Sequence, residues 1–395
     1  MENDKISAKI QNKFTNIIAL RWWLGSLFIL LAAIFLQMLA SLYPQKVEIY
    51  YSRKTYPYIG QTLSLINKLV WFSLGEVLLI TLSIGLIAWI IWQVKQLYRK
   101  RINAKELFVK TLWRFTSIIS IGLLLFLSLW GLNYQKQPLA EILSLTPRKP
   151  NSTELITVCQ SLITQTNQSY KEAVGATLSE SQLPMNWATL NNIIEESFQK
   201  ETLLKNIVSG SYGPAKAVYF SNLMSEFGIS GVFIPLTGEP NVNIAQTDAP
   251  IPFTLAHEKA HQRGFALEDE ANFVAFLVSI KSENAYCQYS GYLMATTYLL
   301  SNLSAIAPEQ YKEMYQKLDS GPKNDLKAMY KFWSQHYGKL SRASEKVNNT
   351  YLKANRVQSG IKSYNQVVDL IISYYFIYPL SNSISNSSIP RDNTP

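Results

Sequence analysis

Two histidines four residues apart, with a glutamate directly after the first, are the residues of this chain best suited to chemistry. His257, Glu258 and His261 form a His-Glu-x-x-His pentad, and the whole chain contains only three histidines. On an α-helix this spacing puts both imidazoles on one face, where they can hold one metal ion. The pentad therefore predicts a zinc site and a zinc-dependent hydrolase, in first place a peptidase.

Glu258 is expected to act on water rather than to bind the ion. Its position beside His257 points it at the open coordination position of the metal. There it would take a proton from water and later deliver that proton to the leaving amine. The alternative role for Glu258 is a surface salt bridge with Lys259 or Arg263.

A third protein ligand is expected shortly after the pentad, because a catalytic zinc site takes three protein ligands and keeps one position open. Gly264 predicts the end of the first helix, and a second helix is predicted from about Glu268. Three acids compete there, although acids also favour helix N-termini for electrostatic reasons alone. They are Glu268, Asp269 and Glu270, and the helix continues with the apolar residues Phe273, Val274 and Leu277. Glu270 lies closest to this apolar face and is the preferred ligand, with Glu268 second.

Three residues near the pentad are candidates for supporting the ligands. Arg263 could pair with Asp269 or Glu268 across the turn and fix the second helix against the first. Asn272 is a further candidate, and Glu268 would join this group if Glu270 is the ligand. The alternative for Arg263 and Asn272 is an ordinary surface position. The third histidine, His336, ends a predicted helix and is expected to be structural.

Three long apolar runs before Tyr134 predict a membrane domain over residues 1–134. They cover about residues 22–43, 70–94 and 115–134, each close to the roughly 20 residues that cross a bilayer as a helix. Aromatic residues lie near the ends of the runs, as in the aromatic belts of membrane proteins. They are Trp22, Trp23, Tyr43, Trp71, Trp92, Trp130 and Tyr134. The alternatives are three buried core helices or, for the first run, a cleaved signal peptide, for which the run is too long.

Basic residues predict the orientation of these spans. The segment from Lys95 to Arg114 carries seven basic residues against one acid, which predicts a cytoplasmic loop. The N-terminus is then cytoplasmic, and the pentad lies outside the cytoplasmic membrane. Residues 44–68 carry four basic residues and point weakly the other way. Glu76 is expected at the outer interface of the second span.

The net charge of +10 does not predict nucleic-acid binding. Much of the positive excess lies in the predicted cytoplasmic loop and the N-terminus, where anionic lipid headgroups account for it. No aromatic-basic recognition motif accompanies the charge. The lipid bilayer and a peptide or protein substrate are the expected partners, and the oligomeric state is left open.

Residues 135–380 are predicted to form one mostly helical external domain, so the chain is mainly α, and residues 381–395 a disordered tail. Helical periodicity covers residues 154–173, 187–208, 252–263, 268–282, 289–304, 308–318, 324–336, 344–354 and 364–378. Cys159 and Cys287 both fall in this domain. An oxidising compartment permits a disulfide between them without requiring one.

The stretch before the pentad differs from the rest of the external domain. Residues 209–252 hold ten glycines and prolines, with short β-favouring pieces at 232–234 and 242–244. Residues 232–244 could form an edge strand beside the cleft, to which an extended peptide would add as a further strand. The alternative is an ordinary hairpin.

Residues 228–243, 257–265 and 268–273 resemble a family of uncharacterised bacterial membrane proteins, domain of unknown function 3810. The resemblance covers nearly the whole chain, including the three spans and the late pieces at 351–355 and 360–364. It implies a membrane location and the metal-binding pentad, and it implies no particular substrate.

More distantly, the pentad followed by Glu270-Ala271-Asn272 is similar to the gluzincin peptidases. This resemblance implies a zincin-like external domain with His257 and His261 as ligands, Glu258 as general base and Glu270 as third ligand. The chain departs from the pattern in one respect. Only eight residues separate His261 from Glu270, fewer than in most gluzincins.

The leading hypothesis is a membrane-anchored zinc metallopeptidase that acts on envelope or secreted proteins. An intramembrane protease is not predicted, because the pentad follows the last span by more than a hundred residues. One alternative is a non-catalytic envelope protein whose metal site is structural or vestigial. A second alternative is an envelope hydrolase that acts on a cell-wall amide.

Overall fold

The computed structural model describes residues 2–99, 103–146, 150–175, 179–205, 207, 210–360 and 366–378, with side chains from residue 21 onward. The predicted tail at 381–395 lies outside these residues, as do Lys100 and Arg101 of the predicted cytoplasmic loop. The described chain is mainly helical with one small three-stranded sheet, which confirms the predicted fold class.

The elements follow one another in this order. The N-terminal third holds α1 (Glu2–Leu42), α2 (Pro44–Lys46), a π-helix (Val47–Thr55), α3 (Tyr56–Lys68), α4 (Leu74–Tyr98), α5 (Ala104–Leu129) and a 3₁₀ turn (Gly131–Gln135). Next come α6 (Leu139–Ile142), α7 (Ser152–Val174), α8 (Trp187–Lys200), β1 (Lys216–Ala217), α9 (Ser221–Glu226), β2 (Gly231–Ile234) and β3 (Glu239–Val242). The chain continues with α10 (Ile251–Gln262), α11 (Glu268–Ile280), α12 (Ala285–Ile306), α13 (Pro308–Gln316), α14 (Ser320–His336), α15 (Lys339–Ala354) and α16 (Val367–Ile377).

Three helices are long and apolar enough to cross a membrane, as predicted. They are Arg21–Leu42 within α1, which is the first span, α4 as the second and α5 as the third. The second span begins at Leu74 rather than residue 70, because the Ser73 hydroxyl accepts from the Glu76 N–H at 3.0 Å and caps the helix. The third span ends at Leu129, and the following residues form the 3₁₀ turn.

The segment between the first and second spans is helical, whereas the sequence pattern predicted no element there. Helix α3 buries Tyr56, Gly60, Ser64 and Asn67, which recur at helical spacing on one face. Only one of these four residues is large and apolar, so the buried face carries no hydrophobic periodicity for the sequence to show. This face packs against residues that follow the third span, including Tyr212 and Gln262. A Cβ on Gly60 would lie 3.0 Å from the Tyr212 ring.

The core of the chain after the third span is built from helices α7, α10, α11 and α12. Helix α10 is buried along its whole length, and all but one residue of α11 is buried. Most helix boundaries agree with the periodicity within a few residues. Helix α12 starts four residues earlier than predicted, because the Asn284 side chain accepts from the N–H groups of Tyr286 and Cys287 and caps it there. Cys159 and Cys287 are both buried free thiols.

The three strands are ordered β1-β3-β2. Strands β2 and β3 form an antiparallel hairpin in which Gly231 lies opposite Val242, and β1 runs parallel to β3. Among the described residues β2 pairs only with β3, so it is an edge strand. Both the predicted hairpin and the predicted edge strand are therefore present in the stretch before the pentad.

Candidate metal centre

A tight turn after α10 carries the chain back toward the pentad. Gly264 has a φ of +86°, the left-handed conformation that glycine accepts without strain. Its N–H donates to the carbonyl of His261 at 3.0 Å. The Phe265 N–H donates to the carbonyl of Ala260 at 3.2 Å, and the two bonds form a Schellman motif. The predicted helix stop at Gly264 is confirmed, and α11 begins four residues later, at Glu268.

This turn brings three potential ligand atoms together. The two Nε2 atoms of His257 and His261 lie 3.0 Å apart. Oε2 of Glu268 lies 3.3 Å from Nε2 of His257 and 3.4 Å from Nε2 of His261. All three residues are buried.

The size of this triangle fits one metal ion. Ligand atoms placed about 2.0–2.1 Å from an ion at tetrahedral angles lie roughly 3.3–3.4 Å from one another. Oε2 of Glu268 also has no hydrogen-bond partner among the described residues, although it is buried. A buried carboxylate oxygen without a donor costs free energy, which a bound cation would remove.

Glu270, the acid that the sequence favoured as third ligand, lies elsewhere. Its Oε1 accepts from the backbone N–H of Leu139 at 2.6 Å, and its Oε2 lies 4.0 Å from Nζ of Lys136. Glu268 and not Glu270 therefore stands beside the imidazoles. The apolar face of α11 did indicate burial of Glu270. It did not indicate that the first residue of the helix, directly after the turn, would face the end of α10.

The carboxylate of Glu258 lies beside the ligand cluster at the wall of a cleft. Its Oε2 is buried and has no hydrogen-bond partner among the described residues. Burial raises the pKa of Glu258 to about 8, although the nearby His261 acts in the opposite direction. Gly231 of β2 packs directly against this carboxylate. The alternative of a surface salt bridge is thus not what the structure shows, because Glu258 is 3% exposed and makes no ion pair with Lys259 or Arg263 among the described residues.

The ionisation of the cluster reflects its burial and its mutual contacts. Burial lowers the pKa of His257 below its usual value. Burial acts in the same direction on His261, but Glu268 and Glu258 outweigh it and raise the pKa of that imidazole to about 9. Burial alone would raise the pKa of Glu268, yet the two imidazoles hold it well below its ordinary range.

One backbone contact orients the imidazole of His261. Nδ1 of His261 lies 2.6 Å from the carbonyl of Phe265, so Nδ1 donates its proton there, and in the neutral imidazole Nε2 presents a lone pair to the cluster. Asn272 lies near His257, but Nδ1 of His257 and the amide nitrogen of Asn272 are both buried without a hydrogen-bond partner among the described residues. The amide oxygen of Asn272 accepts from the Tyr298 hydroxyl at 3.2 Å, so a role for Asn272 in supporting the ligands stays a prediction.

Arg263 lies on the opposite side of α10 from the position predicted for it. Its Nη2 is 2.7 Å from Oε2 of Glu195 on α8, and the guanidinium lies over the rings of Phe198 and Tyr212. Nζ of Lys259 lies 2.8 Å from the same carboxylate oxygen. Arg263 thus holds α10 against α8 instead of pairing with Asp269 or Glu268.

The ion pairs of Glu195 should make a large contribution to stability. Glu195→Gln leaves the charges of Lys259 and Arg263 buried without a carboxylate, so we expect the free energy of unfolding to fall by about 3–5 kcal/mol. Denaturant unfolding of the full chain in detergent micelles measures this loss. The neighbouring Glu196 is exposed, and Glu196→Gln should change stability by no more than about 0.5 kcal/mol. Equal effects of the two substitutions would contradict the structural role of Glu195.

Glu195 should also make the fold sensitive to acid. Burial raises the pKa of Glu195, but Arg263 and Lys259 outweigh it and lower the pKa from 4.5 to about 2. A carboxylate with a lowered pKa stabilises the folded state fully above its unfolded pKa and loses that contribution as the pH falls toward its folded pKa. Melting temperatures should therefore fall between pH 4.5 and 2 more steeply for the wild-type chain than for Glu195→Gln. Parallel curves would contradict the assignment.

Two side chains complete the C-terminus of α10, those of Trp130, next to the end of the third span, and of Tyr56, the first residue of α3. The last carbonyls of a helix lack partners within the helix. Trp130 donates its indole N–H to the carbonyl of His261 at 2.9 Å, and Tyr56 donates its hydroxyl to the carbonyl of Gln262 at 2.7 Å. The sequence predicts Trp130 as part of the aromatic belt and indicates no role for Tyr56. Nothing in the sequence pairs either residue with the pentad.

A cleft of about 610 Å³ opens over the ligand cluster. Its floor is formed by the pentad and Glu268 together with Trp130 and Tyr134. One wall consists of residues 227–233, which include most of β2. The opposite wall consists of one face of α15, through Ser344, Glu345, Val347, Asn348 and Tyr351.

The two remaining ionisable residues singled out in the sequence lie away from the cleft. His336 ends α14 and its Nδ1 lies 2.8 Å from the carbonyl of Phe332, in agreement with a structural role. Glu76 lies in the first turn of the second span. Its carboxylate accepts from the backbone N–H groups of Tyr219 and Phe220 at 3.0 and 2.9 Å, so it links that span to the residues just before α9.

Comparison with known proteins identifies the family of the chain but no activity. No curated protein and no solved structure matches the chain. Residues 51–372 match the family described as protein of unknown function DUF3810. This match runs from the segment before the second span through the pentad to α16, and it covers most of the chain. The protein is therefore a member of the DUF3810 family, as its sequence resemblance indicated.

Proposed function

We propose that this protein is a membrane-anchored zinc metallopeptidase whose ion is held by His257, His261 and Glu268. The observation that supports the proposal best is the buried triangle of ligand atoms beside the free carboxylate of Glu258. Two imidazoles and one carboxylate with a fourth position left for water are a donor set of catalytic zinc. Glu268 replaces Glu270 in this assignment because only Glu268 lies within reach of both imidazoles.

Different residues would have different roles in hydrolysis. A zinc ion, when bound, would supply Lewis-acid polarisation of water and of the scissile carbonyl. Glu258 would take a proton from the attacking water and return it to the leaving amine. Phe265, through its carbonyl, keeps the lone pair of His261 directed at the cluster.

The edge strand supplies a way to hold an extended peptide. Strand β2 borders the cleft, and Gly231 at its start packs against Glu258. A peptide that adds as a strand to β2 would form backbone hydrogen bonds along an edge that the sheet leaves open. Its backbone would then pass the ligand cluster, which favours a peptide bond over other amides as the substrate.

The position of the spans supports an extracytoplasmic site on the cytoplasmic membrane. In this arrangement residues 1–134 form the membrane domain and residues 135–380 the external domain. The seven basic residues between Lys95 and Arg114 would stay in the cytoplasm. The N-terminus would be cytoplasmic too, and the cleft would face the envelope.

Gly231 should be required for turnover. A Cβ at this position would lie 2.5 Å from Oε1 of Glu258, so Gly231→Ala must displace the carboxylate. Because a shift of roughly 1 Å can cost about 100-fold in rate, we expect a loss of that order in kcat with the metal retained. Gly85→Ala in the second span places its Cβ in open space and serves as control. An unchanged kcat for Gly231→Ala would show that Glu258 does not take part in the proposed reaction.

Hydrolysis by the purified full chain tests the proposed function. The protein is reconstituted in lipid nanodiscs and incubated with a pool of degenerate peptides, and new termini are identified by mass spectrometry. We expect cleavage that disappears on chelation and returns with Zn²⁺. Stoichiometric zinc without cleavage of any peptide would favour the structural metal site instead.

A further inference from the structure

Each side of the cleft is attached to the outer end of at least one membrane span. The floor is attached to the third span, because Trp130 follows Leu129 directly and donates its indole N–H to the carbonyl of His261. At a rise of about 1.5 Å per residue, this contact lies within one helical turn of the end of the span. The pentad is thus distant from the spans in sequence and adjacent to them in space.

The wall formed by β2 bridges the second and third spans. The ring of Phe233 lies 5.5 Å from the ring of Trp130, at the end of the third span. The side chain of Ile234 lies against Gly75 in the first turn of the second span. Strand β2 therefore contacts the outer ends of two spans, which places it next to the bilayer surface.

The wall formed by α15 is attached to the first and third spans. The Gln37 side chain of the first span donates to the carbonyl of Ala354 at 3.4 Å, and Arg356 donates to the Ser41 hydroxyl. The ring of Tyr351, which lines the cleft, lies 6.1 Å from the ring of Phe126 in the last turn of the third span.

An apolar rim, formed by Tyr219, Phe220 and Leu223, lies at the outer end of the second span. Tyr219 is 87% exposed, and Phe220 and Leu223 are also exposed. Glu76 of the second span binds the backbone of Tyr219 and Phe220, which fixes the rim at the outer end of that span. Trp71, just before the same span, is 91% exposed. Exposed aromatic residues at this level are those of a membrane interface rather than of a water-facing surface.

We propose, on the basis of the proposed peptidase function, that the substrate is a polypeptide anchored in the same bilayer and cut in the extended segment just outside its own transmembrane helix. A segment that pairs with β2 must lie along the membrane surface, where the first residues after a transmembrane helix emerge. Anchoring in the same bilayer also raises the effective concentration of the segment at the cleft, so recognition of its sequence by deep pockets is not needed.

Photocrosslinking in liposomes tests this inference without relying on turnover. The full-length Glu258→Gln protein carries a benzophenone amino acid at Val232, which lies in β2 and lines the cleft. The probe is a degenerate twelve-residue segment fused to a Leu-rich transmembrane helix, with or without a thirty-residue spacer. The same segment without the helix is the matched probe. Benzophenone at Tyr330, which is 78% exposed and does not line the cleft, is the control for crosslinking that reflects only a shared membrane.

We expect at least about tenfold more crosslinking of the anchored segment at Val232, and no such preference at Tyr330. The crosslinks should map to the first ten or so residues that follow the transmembrane helix. In the probe whose spacer separates the helix from the segment, these are residues of the spacer next to the helix. Equal crosslinking of the free and anchored segments, or crosslinks spread along the spacer, would overturn the inference. Cleavage of free and anchored segments at equal rates by the wild-type chain would overturn it too and leave the peptidase function intact. Preferential crosslinking at Val232 without cleavage by the zinc-loaded wild-type chain would support the anchored ligand and contradict the peptidase.

Discussion

Glu258→Gln should abolish most peptide hydrolysis while leaving the metal in place. The substitution keeps the shape of the side chain and removes the proton acceptor, so we expect kcat to fall by about 10²- to 10⁴-fold. Glu258 is not one of the three residues of the ligand triangle, and metal content should stay at the wild-type stoichiometry. Hydrolysis of the peptide pool and metal analysis of the same preparations measure the two effects.

An exposed acid provides the matched control for this variant. Glu309 is 80% exposed and pairs only with Lys312 among the described residues. Glu309→Gln removes the same charge and should leave both rate and metal content unchanged. If Glu258→Gln cleaves as fast as Glu309→Gln, then Glu258 is not the general base. If Glu258→Gln loses the metal instead, it is a ligand or a structural residue.

Glu268→Gln and Glu270→Gln should separate two neighbouring acids with different roles. Glu268→Gln removes the negative charge next to both imidazoles, so we expect metal affinity to fall by more than the 10- to 100-fold that is typical for residues behind the ligands. Glu270→Gln changes a carboxylate that contacts the Leu139 backbone and lies near Lys136, and its effect on affinity should stay within about tenfold. Competition with a zinc-chelating dye measures both constants on folded protein.

The opposite ranking would reinstate the acid that the sequence favoured. A large loss of affinity in Glu270→Gln with little change in Glu268→Gln would mean that α11 rotates when metal binds. Equal small losses in both variants would mean that two imidazoles alone hold the ion. Because Glu270 is buried, thermal melting of the two variants is needed to show that any loss of metal is not a loss of fold.

The sequence predicted the elements of the site better than their arrangement. Gly264 was identified as the helix stop from its tolerance of positive φ, and its φ of +86° confirms the reason as well as the position. The apolar periodicity also located α10 and α11 within two residues. These features depend on local backbone preference and on burial of one helix face, which neighbouring residues in the chain determine.

The choice of ligand and the role of Arg263 could not be predicted in the same way. Both depend on the direction in which a side chain leaves a helix after a tight turn, and that direction is set by tertiary packing. Glu268 faces the imidazoles because the Schellman motif folds α11 back on α10. Arg263 pairs with Glu195, 68 positions earlier in the chain, where no sequence spacing connects them.

The contact between the pentad and the membrane spans was missed for a related reason. More than a hundred residues separate Trp130 from His261 in the chain, and no sequence pattern shows that they meet in space. The segment between the first two spans likewise carries no predicted element, because α3 buries a face of mostly small and polar residues. Residues of this kind pack closely without producing a hydrophobic pattern.

X-ray absorption at the zinc edge of the purified full-length protein tests the central claim most directly. We expect one zinc per chain, with two imidazole nitrogens and one carboxylate oxygen at about 2.0–2.1 Å. Glu268→Gln should alter this shell, and Glu270→Gln should leave it as in the wild type. Less than one equivalent of zinc after reconstitution, or a shell without two imidazoles, would contradict the claim that His257, His261 and Glu268 form a metal site.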